Sequence, residues 1–265
     1  MTQGGVNYAV STIMFLGNVN VIDSLSIVKQ FVFDEKWVTM TELVKALKAN
    51  WKGYEDLKIK IAKMGAFFGN DDETSNYVAR LFYDTLYEYI KNKRTVFGYP
   101  VLIGDHTGYP LRFKWFGEST KATPDGRYDG EPLSYGIFQK DEKNWNGLTA
   151  LMNAITKFDV YGISSATVTN FTLDSAYADN EGYFDKTVDM LESYLKNGGI
   201  HFQLNYVSRE ELLKAKAEPE KYSNLKVRVT GYSDYFTRLD DAIQDSVIKR
   251  YGLCWPAFSG SWQQI

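Results

Sequence analysis

Apolar residues recur at helical spacing in two long stretches of the chain, residues 73–91 and 184–196. The first stretch is predicted to be a helix with Asp71 or Asp72 as its N-cap, and the second to end in a left-handed cap at residues 197–199, Asn-Gly-Gly. The side chains predicted to face the core are Val78, Leu81, Phe82, Thr85, Leu86 and Tyr89 in the first helix, and Val188, Leu191 and Leu195 in the second. Both helices are therefore expected to pack on a hydrophobic core.

Capping signals and alternating polarity predict further elements. In chain order these are a helix opened by Thr39 and Glu42, a helix from Glu55, an ordered loop over 123–147, a strand over 200–207, a helix opened by Ser208 and Glu211, and a short strand over 227–229. From residue 184 to residue 229 the predicted order is helix, strand, helix, strand.

Length, composition and charge exclude several classes of protein. The chain has 265 residues, of which 44 % are hydrophobic and 24 % charged, so it is expected to fold as one large domain or two small ones. The 30 basic and 33 acidic residues give a net charge of −3, and nucleic acid is therefore not an expected partner. Residues 1–25 lack a basic region and a long apolar run, so we expect a cytoplasmic protein without a membrane segment.

Cysteine and histidine, the ligands typical of zinc and iron–sulfur sites, are scarce in the sequence. The only cysteine is Cys254 and the only histidines are His106 and His201, so neither a disulfide framework nor a cysteine-rich zinc or iron–sulfur site is expected. Aromatic residues make up 15 % of the chain, and such an excess is typical of an interface. We therefore expect a large surface for a protein partner.

Residues 226–236, KVRVTGYSDYF, place Gly231 on a tight turn directly after a predicted strand, between Thr230 and Tyr232. Taken alone, this glycine fits a common turn, in which a positive φ or a close backbone approach requires it.

The stretch RVTGYSDYF closely resembles the radical-bearing loop of the glycyl radical enzymes, a family that includes pyruvate formate-lyase and the glycerol and propanediol dehydratases. Further stretches resemble the family in the same order and spacing: GGVNY (4–8), VIDSL (21–25), FGNDD (68–72), ATPDGRYDGEPLSYG (122–136) and HFQLNYVS (201–208). The resemblance extends over residues 4–250, nearly the whole chain.

This resemblance implies a fold and a division of the chain. The fold would be α/β, the second half of the ten-stranded α/β barrel of glycyl radical enzymes together with the C-terminal glycyl radical loop. Residues 1–120 would supply half-barrel helices and strands, and residues 121–265 the glycyl radical domain with its tail.

The resemblance also implies an anaerobic radical chemistry. A separate radical S-adenosylmethionine activase, which carries its own 4Fe-4S cluster, would remove a hydrogen atom from Gly231 after translation. The radical loop would consist of Arg228, Val229, Thr230, Tyr232 and Ser233 around that glycine. The radical would then pass to a cysteine thiol that attacks a C–H bond of a small-molecule substrate, and no cofactor or metal would be bound by this chain.

Glycine suits this role for a physical reason. A radical on a backbone Cα is stabilised when the amide nitrogen donates electron density and the carbonyl withdraws it, which requires a nearly planar carbon. A side chain would crowd that plane, and glycine also lets another loop approach closely. Burial would keep oxygen and competing hydrogen donors away from the radical.

The sequence departs from the family at the thiyl cysteine. Family members carry that cysteine upstream of the segments matched here, whereas no cysteine precedes Gly231 in this sequence. Cys254 is more simply a small hydrophobic residue at an interface than a thiyl residue. We therefore expect a heterodimer, or split enzyme, in which a partner chain carries the cysteine and covers exposed strand edges and an apolar wall.

The reaction type and two alternatives stay open. Residues 130–136 and 230–236 resemble the dehydratase-type eliminases more than pyruvate formate-lyase, which favours a lyase, whereas residues 162–177 depart from the eliminase pattern. The alternatives are a spare-part protein that rescues a damaged full-length enzyme and a non-catalytic structural subunit. Anaerobic ribonucleotide reductase is set aside, because the paired zinc-binding cysteines of that branch are missing.

Three residues outside the radical loop are weaker candidates. FKWFG (113–117) resembles a family strand that ends near the substrate, and Trp115 stands where an aromatic residue would face the pocket, so it would either line the substrate site or pack in the core. Arg127 could clamp an anion or belong to a structural loop, and the resemblance favours the loop. His201 could be a general base but is more simply a core or interface residue.

Overall fold

The computed structural model of this chain alternates helices with short strands. It describes residues 9–105, 111–134, 146–159, 169–173, 175, 179, 181–229 and 232–249. In chain order the elements are β1 (Ser11–Phe15), α1 (Asn18–Ile27), a π-helical segment (Val28–Asp34), α2 (Met40–Lys48), α3 (Glu55–Met64), α4 (Glu73–Ile90), β2 (Val101–Asp105), α5 (Leu111–Glu118), α6 (Leu148–Ile155), β3 (Asn170–Leu173), α7 (Tyr183–Lys196), β4 (Gln203–Tyr206), α8 (Arg209–Ala217), a 3-10 turn (Pro219–Tyr222), β5 (Lys226–Arg228), β6 (Ser233–Tyr235), a second 3-10 turn (Phe236–Arg238) and α9 (Asp241–Lys249).

The strands confirm the α/β class. Strand β1 pairs with β2 in parallel, β3 pairs with β4 in parallel, and β5 pairs with β6 in antiparallel orientation. Parallel neighbours require a long crossover, and helices α1 to α4 supply it between β1 and β2, as α7 does between β3 and β4. Within the described residues the strands form three two-stranded sheets.

Buried apolar side chains form three clusters. The central core joins α1, α4, α6 and α7 to β2 and β3 and includes Ile22, Tyr83, Ile103, Leu151, Phe171 and Tyr194. The hairpin core surrounds β5 and β6 and includes Val207, Leu212, Val227, Val229, Phe236 and Val247. A third cluster lies under α2 and α3 and includes Phe31, Leu43, Trp51 and Ile61. The segment that contains the predicted radical loop therefore has a hydrophobic core of its own.

The predicted helix ends are confirmed. Thr39 and Glu42 form the complete capping box at the start of α2, and Asp72 caps α4 by accepting the Ser75 N–H at 3.0 Å. Ser208 accepts the Glu211 N–H at 3.1 Å and begins α8. The glycines after α7 close its last turn, because the Gly199 N–H donates to the Tyr194 carbonyl at 3.0 Å and Gly198 has a φ of +105°.

The faces predicted for the two long helices are partly wrong. In α4, Val78 is buried, but Leu81 is 52 % and Tyr89 70 % exposed, and Tyr83 and Ile90 are buried instead. In α7 the exposed residues include Phe184, Val188 and Leu195, and the buried ones are Tyr183, Thr187, Met190 and Tyr194. Each helix carries two apolar stripes, and periodicity alone does not decide which stripe packs against the rest of the chain.

The strand predicted over 200–207 is shorter in the structure, where β4 spans Gln203–Tyr206. The strand predicted over 227–229 is shifted by one residue, since β5 spans Lys226–Arg228. The segment 113–117 does not form the strand that the resemblance implied, because these residues lie inside helix α5. Of the loop predicted over 123–147, the structure describes 123–134, which contains neither helix nor strand, and 146–147.

Replacing Phe236 by alanine tests whether the hairpin core stabilises its segment. Phe236 is fully buried in that core, so Phe236→Ala is expected to lower the free energy of unfolding by about 3–5 kcal/mol, measured by urea denaturation. Phe184→Ala is the matched control, since Phe184 is 75 % exposed and its loss should change stability by less than about 0.5 kcal/mol. Equal effects of the two variants would contradict the assignment of Phe236 to a core.

Candidate functional site

The predicted radical loop lies between the two strands of a short antiparallel hairpin. In the register of β5 and β6, Lys226 lies opposite Tyr235, and Arg228 lies opposite Ser233. The Val229 N–H donates to the Tyr232 carbonyl at 3.0 Å, which continues the pairing one step beyond the strands. Thr230 and Gly231 are the two residues between them in the sequence, and both lie outside the described residues.

The described loop residues have different environments. Val229 is fully buried in the hairpin core, which fixes one side of the turn. Tyr232 is 37 % exposed, Ser233 is exposed and Arg228 is half-buried. Apolar packing therefore holds Val229 in place before Thr230, whereas Tyr232, after Gly231, lies at the surface of the described part of the chain.

Strand β4 holds the base of the hairpin through two amide side chains. Asn205 Oδ1 accepts the Arg228 N–H at 2.7 Å, and Asn205 Nδ2 donates to the Arg228 carbonyl at 2.9 Å. Gln203 Oε1 accepts from Arg228 Nε at 2.5 Å. Gln203 and Asn205 belong to the stretch HFQLNYVS, but neither was predicted as a site residue. The available signal was the placement of two amides at alternate positions of a short strand.

A groove of about 440 Å³ opens between β4 and the hairpin. Its lining residues are Gln203, Leu204, Asn205, Tyr206, Val207, Lys226, Val227, Arg228 and Ser233. The groove therefore lies directly beside the base of the loop that carries Gly231.

His201 precedes β4 and belongs to the same polar cluster. Burial and the nearby positive charge of Arg228 lower the pKa of His201, so its neutral form is favoured. Its Nε2 lies 3.4 Å from Gln203 Nε2, its carbonyl accepts from the Tyr194 hydroxyl at 3.2 Å, and its Nδ1 is buried without a hydrogen-bond partner among the described residues. Burial also raises the pKa of Tyr194, so that this hydroxyl stays neutral.

Arg127 does not form an anion clamp. Its guanidinium is fully buried and donates to the carbonyls of Thr120, Lys121 and Glu131 and to the hydroxyl of Thr123. Burial lowers the pKa of Arg127, although the carboxylates of Asp125, Glu131 and Asp129 act in the opposite direction. The structural interpretation of this loop is therefore confirmed, since every donor bond described here goes to the protein itself.

Asp125 of the same loop accepts from Asn20 Nδ2 at 2.7 Å, and Asn20 Oδ1 accepts the Ser134 N–H at 2.6 Å. Both ends of the loop are thereby fixed to the first turn of α1, so this loop is part of the framework of the fold.

Trp115 lies on α5 and is 55 % exposed, so the prediction that it packs in the core is wrong. Its role as a substrate-lining residue stays a prediction. Cys254 and the tail after Arg250 lie outside the described residues, as do GGVNY, His106 and most of 162–177.

Two features are absent from the part of the chain that the structure describes: a cluster of potential metal ligands and a membrane-spanning helix. Among those residues, no group of three or more histidine, cysteine, aspartate or glutamate side chains could hold a metal ion. No helix among them is both long and apolar enough to cross a membrane.

Two family models match the chain. Residues 1–104 match the one described as pyruvate formate lyase-like, and residues 134–237 match the one described as glycine radical. The second match includes Gly231 and both strands of the hairpin.

Curated relatives and solved structures agree with these matches. The trans-4-hydroxy-L-proline dehydratase of Clostridioides difficile is 32 % identical over 250 residues, which are 94 % of this chain and 31 % of the relative. The isethionate sulfite-lyase of Bilophila wadsworthia is 31 % identical over 258 residues, or 94 % of this chain and 30 % of the relative. The glycerol-bound B12-independent glycerol dehydratase of Clostridium butyricum superimposes with a TM-score of 0.84 at 33 % identity, over 94 % of this chain and 31 % of that structure. The chain therefore spans about a third of the length of these relatives.

The lowered pKa of His201 predicts a pH-dependent stability. Below a pH of about 6.5 the unfolded chain protonates this histidine while the folded chain resists protonation. The free energy of unfolding should therefore fall as the pH drops from 7.5 to 5.5, and it should fall less in His201→Gln. Urea denaturation of both proteins at the two pH values measures the difference, and parallel pH dependences would contradict the lowered pKa. His106 is present in both proteins and cancels in the comparison.

Proposed function

The chain belongs to the glycyl radical enzyme family, and on that premise we propose that Gly231 stores the radical of a lyase of the dehydratase type. The observation that carries the proposal is the hairpin of β5 and β6, which holds Val229 and Tyr232 on either side of Thr230 and Gly231. The match of residues 134–237 to the glycine radical model supports the assignment of the glycine. The names of the relatives, a dehydratase and a sulfite-lyase, support the reaction class.

In the proposed chemistry each step moves one hydrogen atom. The activase removes a hydrogen atom from the Cα of Gly231 and leaves an organic radical there. That radical takes the hydrogen atom from a cysteine S–H, which restores the glycine and forms a thiyl radical. The thiyl radical then takes a hydrogen atom from a C–H bond of the substrate and begins its elimination.

We propose that the thiyl cysteine lies on a partner chain. The 265-residue sequence contains one cysteine, and it follows Gly231. The exposed apolar surface supports a partner: Ile13 and Met14 of the parallel strand β1 are 46 % and 38 % exposed, although parallel strands are ordinarily buried on both faces. Phe184 and Leu195 on α7 add further exposed apolar area. A partner that covers such surfaces would form an obligate interface of about 2,000 Å² or more.

The activase is proposed as a second, transient partner. Its S-adenosylmethionine and 4Fe-4S cluster would stay with the activase, and this chain would contribute Gly231 and the flanking loop residues Arg228, Val229, Thr230, Tyr232 and Ser233.

Electron paramagnetic resonance tests the assignment of Gly231. After anaerobic treatment with activase, S-adenosylmethionine and reductant, the complex of this chain with its cysteine-bearing partner is expected to show a glycyl radical doublet. Gly231→Ala should remove the signal, because an alanine side chain crowds the planar carbon. Thr95→Ala, in the exposed turn before β2, is a control that should leave the signal unchanged. A folded, activase-bound complex without a signal would overturn the proposal and favour a structural subunit.

Native mass spectrometry tests the partner. Purified anaerobically from its source, this chain is expected to occur in a complex with a second polypeptide that carries a reactive cysteine and lacks a glycyl radical motif. A partner that is itself a complete glycyl radical enzyme would favour the spare-part alternative. A chain in which the cysteine-bearing segment is covalently continuous with these 265 residues would contradict the split arrangement.

A further inference from the structure

We propose that Asn205 and Gln203 of β4 are positioning residues that hold the hairpin of Gly231 in the geometry in which the radical is stored. The inference rests on the proposed role of Gly231 and extends it to two residues outside the radical loop. The supporting observations are the hydrogen bonds that Asn205 and Gln203 form with Arg228, three residues before Gly231 in the sequence.

Asn205 binds both polar groups of one backbone residue. Asn205 is only 3 % exposed. Its Oδ1 accepts the Arg228 N–H at 2.7 Å, and its Nδ2 donates to the Arg228 carbonyl at 2.9 Å. The amide thereby acts as the edge of a neighbouring strand would, at a place where β4 and β5 form no backbone ladder among the described residues. A side chain without an amide would lose both hydrogen bonds, the one to the Arg228 N–H and the one to its carbonyl.

Gln203 extends the contact to the Arg228 side chain. Its Oε1 accepts from Arg228 Nε at 2.5 Å, and Arg228 Nη1 reaches Ser233 Oγ at 3.4 Å on the other strand of the hairpin. One arginine therefore connects β4, β5 and β6, on both sides of the turn. Displacement of Arg228 would change the position of both strands that lead to Gly231.

Among the described residues, the central core and the hairpin core are separate clusters that meet at the two ends of β4. The central core reaches Phe202, just before β4, and the hairpin core begins at Val207, just after it. Gln203 and Asn205 lie between these two cores in the sequence, and their hydrogen bonds cross from the strand pair β3–β4 to the hairpin. The polar contacts therefore add a fixed link between β4 and the hairpin to the packing of Val207 in the hairpin core.

The position of the hairpin matters for a stored radical. Delocalisation over the peptide requires a fixed, nearly planar Cα, and exclusion of oxygen requires that the loop stays in place for as long as the radical is stored. A hairpin that opens more often would expose the radical more often, even if its average structure were unchanged.

The test compares two shape-conserving variants. Asn205→Leu keeps the branching and the number of side-chain heavy atoms, at a somewhat larger volume, and removes both hydrogen bonds to Arg228. Gln30→Met is the matched control, because Gln30 also binds two backbone groups. It accepts the Ala66 N–H at 2.9 Å and donates to the Met64 carbonyl at 3.0 Å. Gln30 lies beside the cluster under α2 and α3, away from the hairpin. Asn205→Asp is a further variant that keeps the acceptor for the Arg228 N–H and loses the donor to its carbonyl.

Two readouts are taken on the complex with its partner. Before activation, hydrogen exchange of the amides in 226–229 and 232–236 is expected to be about tenfold faster in Asn205→Leu than in the unchanged protein, and intermediate in Asn205→Asp. After activation, the glycyl radical signal should decay about tenfold faster under anaerobic storage with a changed line shape, whereas Gln30→Met should match the unchanged protein in both readouts.

The outcomes separate the inference from the proposed function. No radical in the unchanged protein overturns the role of Gly231, and the exchange data alone then decide whether Asn205 holds the hairpin. A normal radical yield, line shape and decay in both Asn205 variants overturns the positioning role, even if hairpin exchange is faster. Equal radical loss in Gln30→Met would also overturn it, since the effect would then be one of general stability.

Discussion

Parallel strands need cover on both faces and a long connection between neighbours, and this constraint shapes most of the chain. The connection between β1 and β2 takes up α1 to α4, and the one between β3 and β4 takes up α7. These helices bury Ile103 of β2 and Phe171 of β3 in the central core, yet they leave Ile13 of β1 half exposed. The uncovered apolar side chains are the physical reason for expecting further protein on this side of the molecule.

The hairpin of β5 and β6 is organised differently. Its own core of aliphatic residues and Phe236 makes it a compact unit, and it meets strand β4 through Asn205, Gln203 and Arg228. Hydrogen bonds are directional, so they fix an orientation more closely than apolar contacts of similar area do. Such a connection suits a loop whose proposed task is to keep one Cα atom in a defined and protected place.

Local signals in the sequence predicted much of the secondary structure because they act within a few residues. The N-caps of α2, α4 and α8, the glycines after α7 and the position of β5 all depend on neighbours in the sequence. The inward faces of α4 and α7 were predicted less well, since both helices carry apolar residues on two sides and only packing selects between them. The strand expected at FKWFG was wrong for another reason: it was carried over from the resemblance, and in this chain these residues lie inside helix α5.

The amino-acid sequence was sufficient to identify the family and the candidate radical residue, because Gly231 and its flanking residues form a contiguous motif. The α/β class followed from the same resemblance, and the order of helices and strands in the structure confirms it. Two contacts became evident only in three dimensions: Arg127 bonds to backbone carbonyls within its own loop, and Asn205 binds the backbone of Arg228. The residues of that second contact are 23 positions apart, and a side-chain amide carries no mark in the sequence of which distant peptide group it will bind.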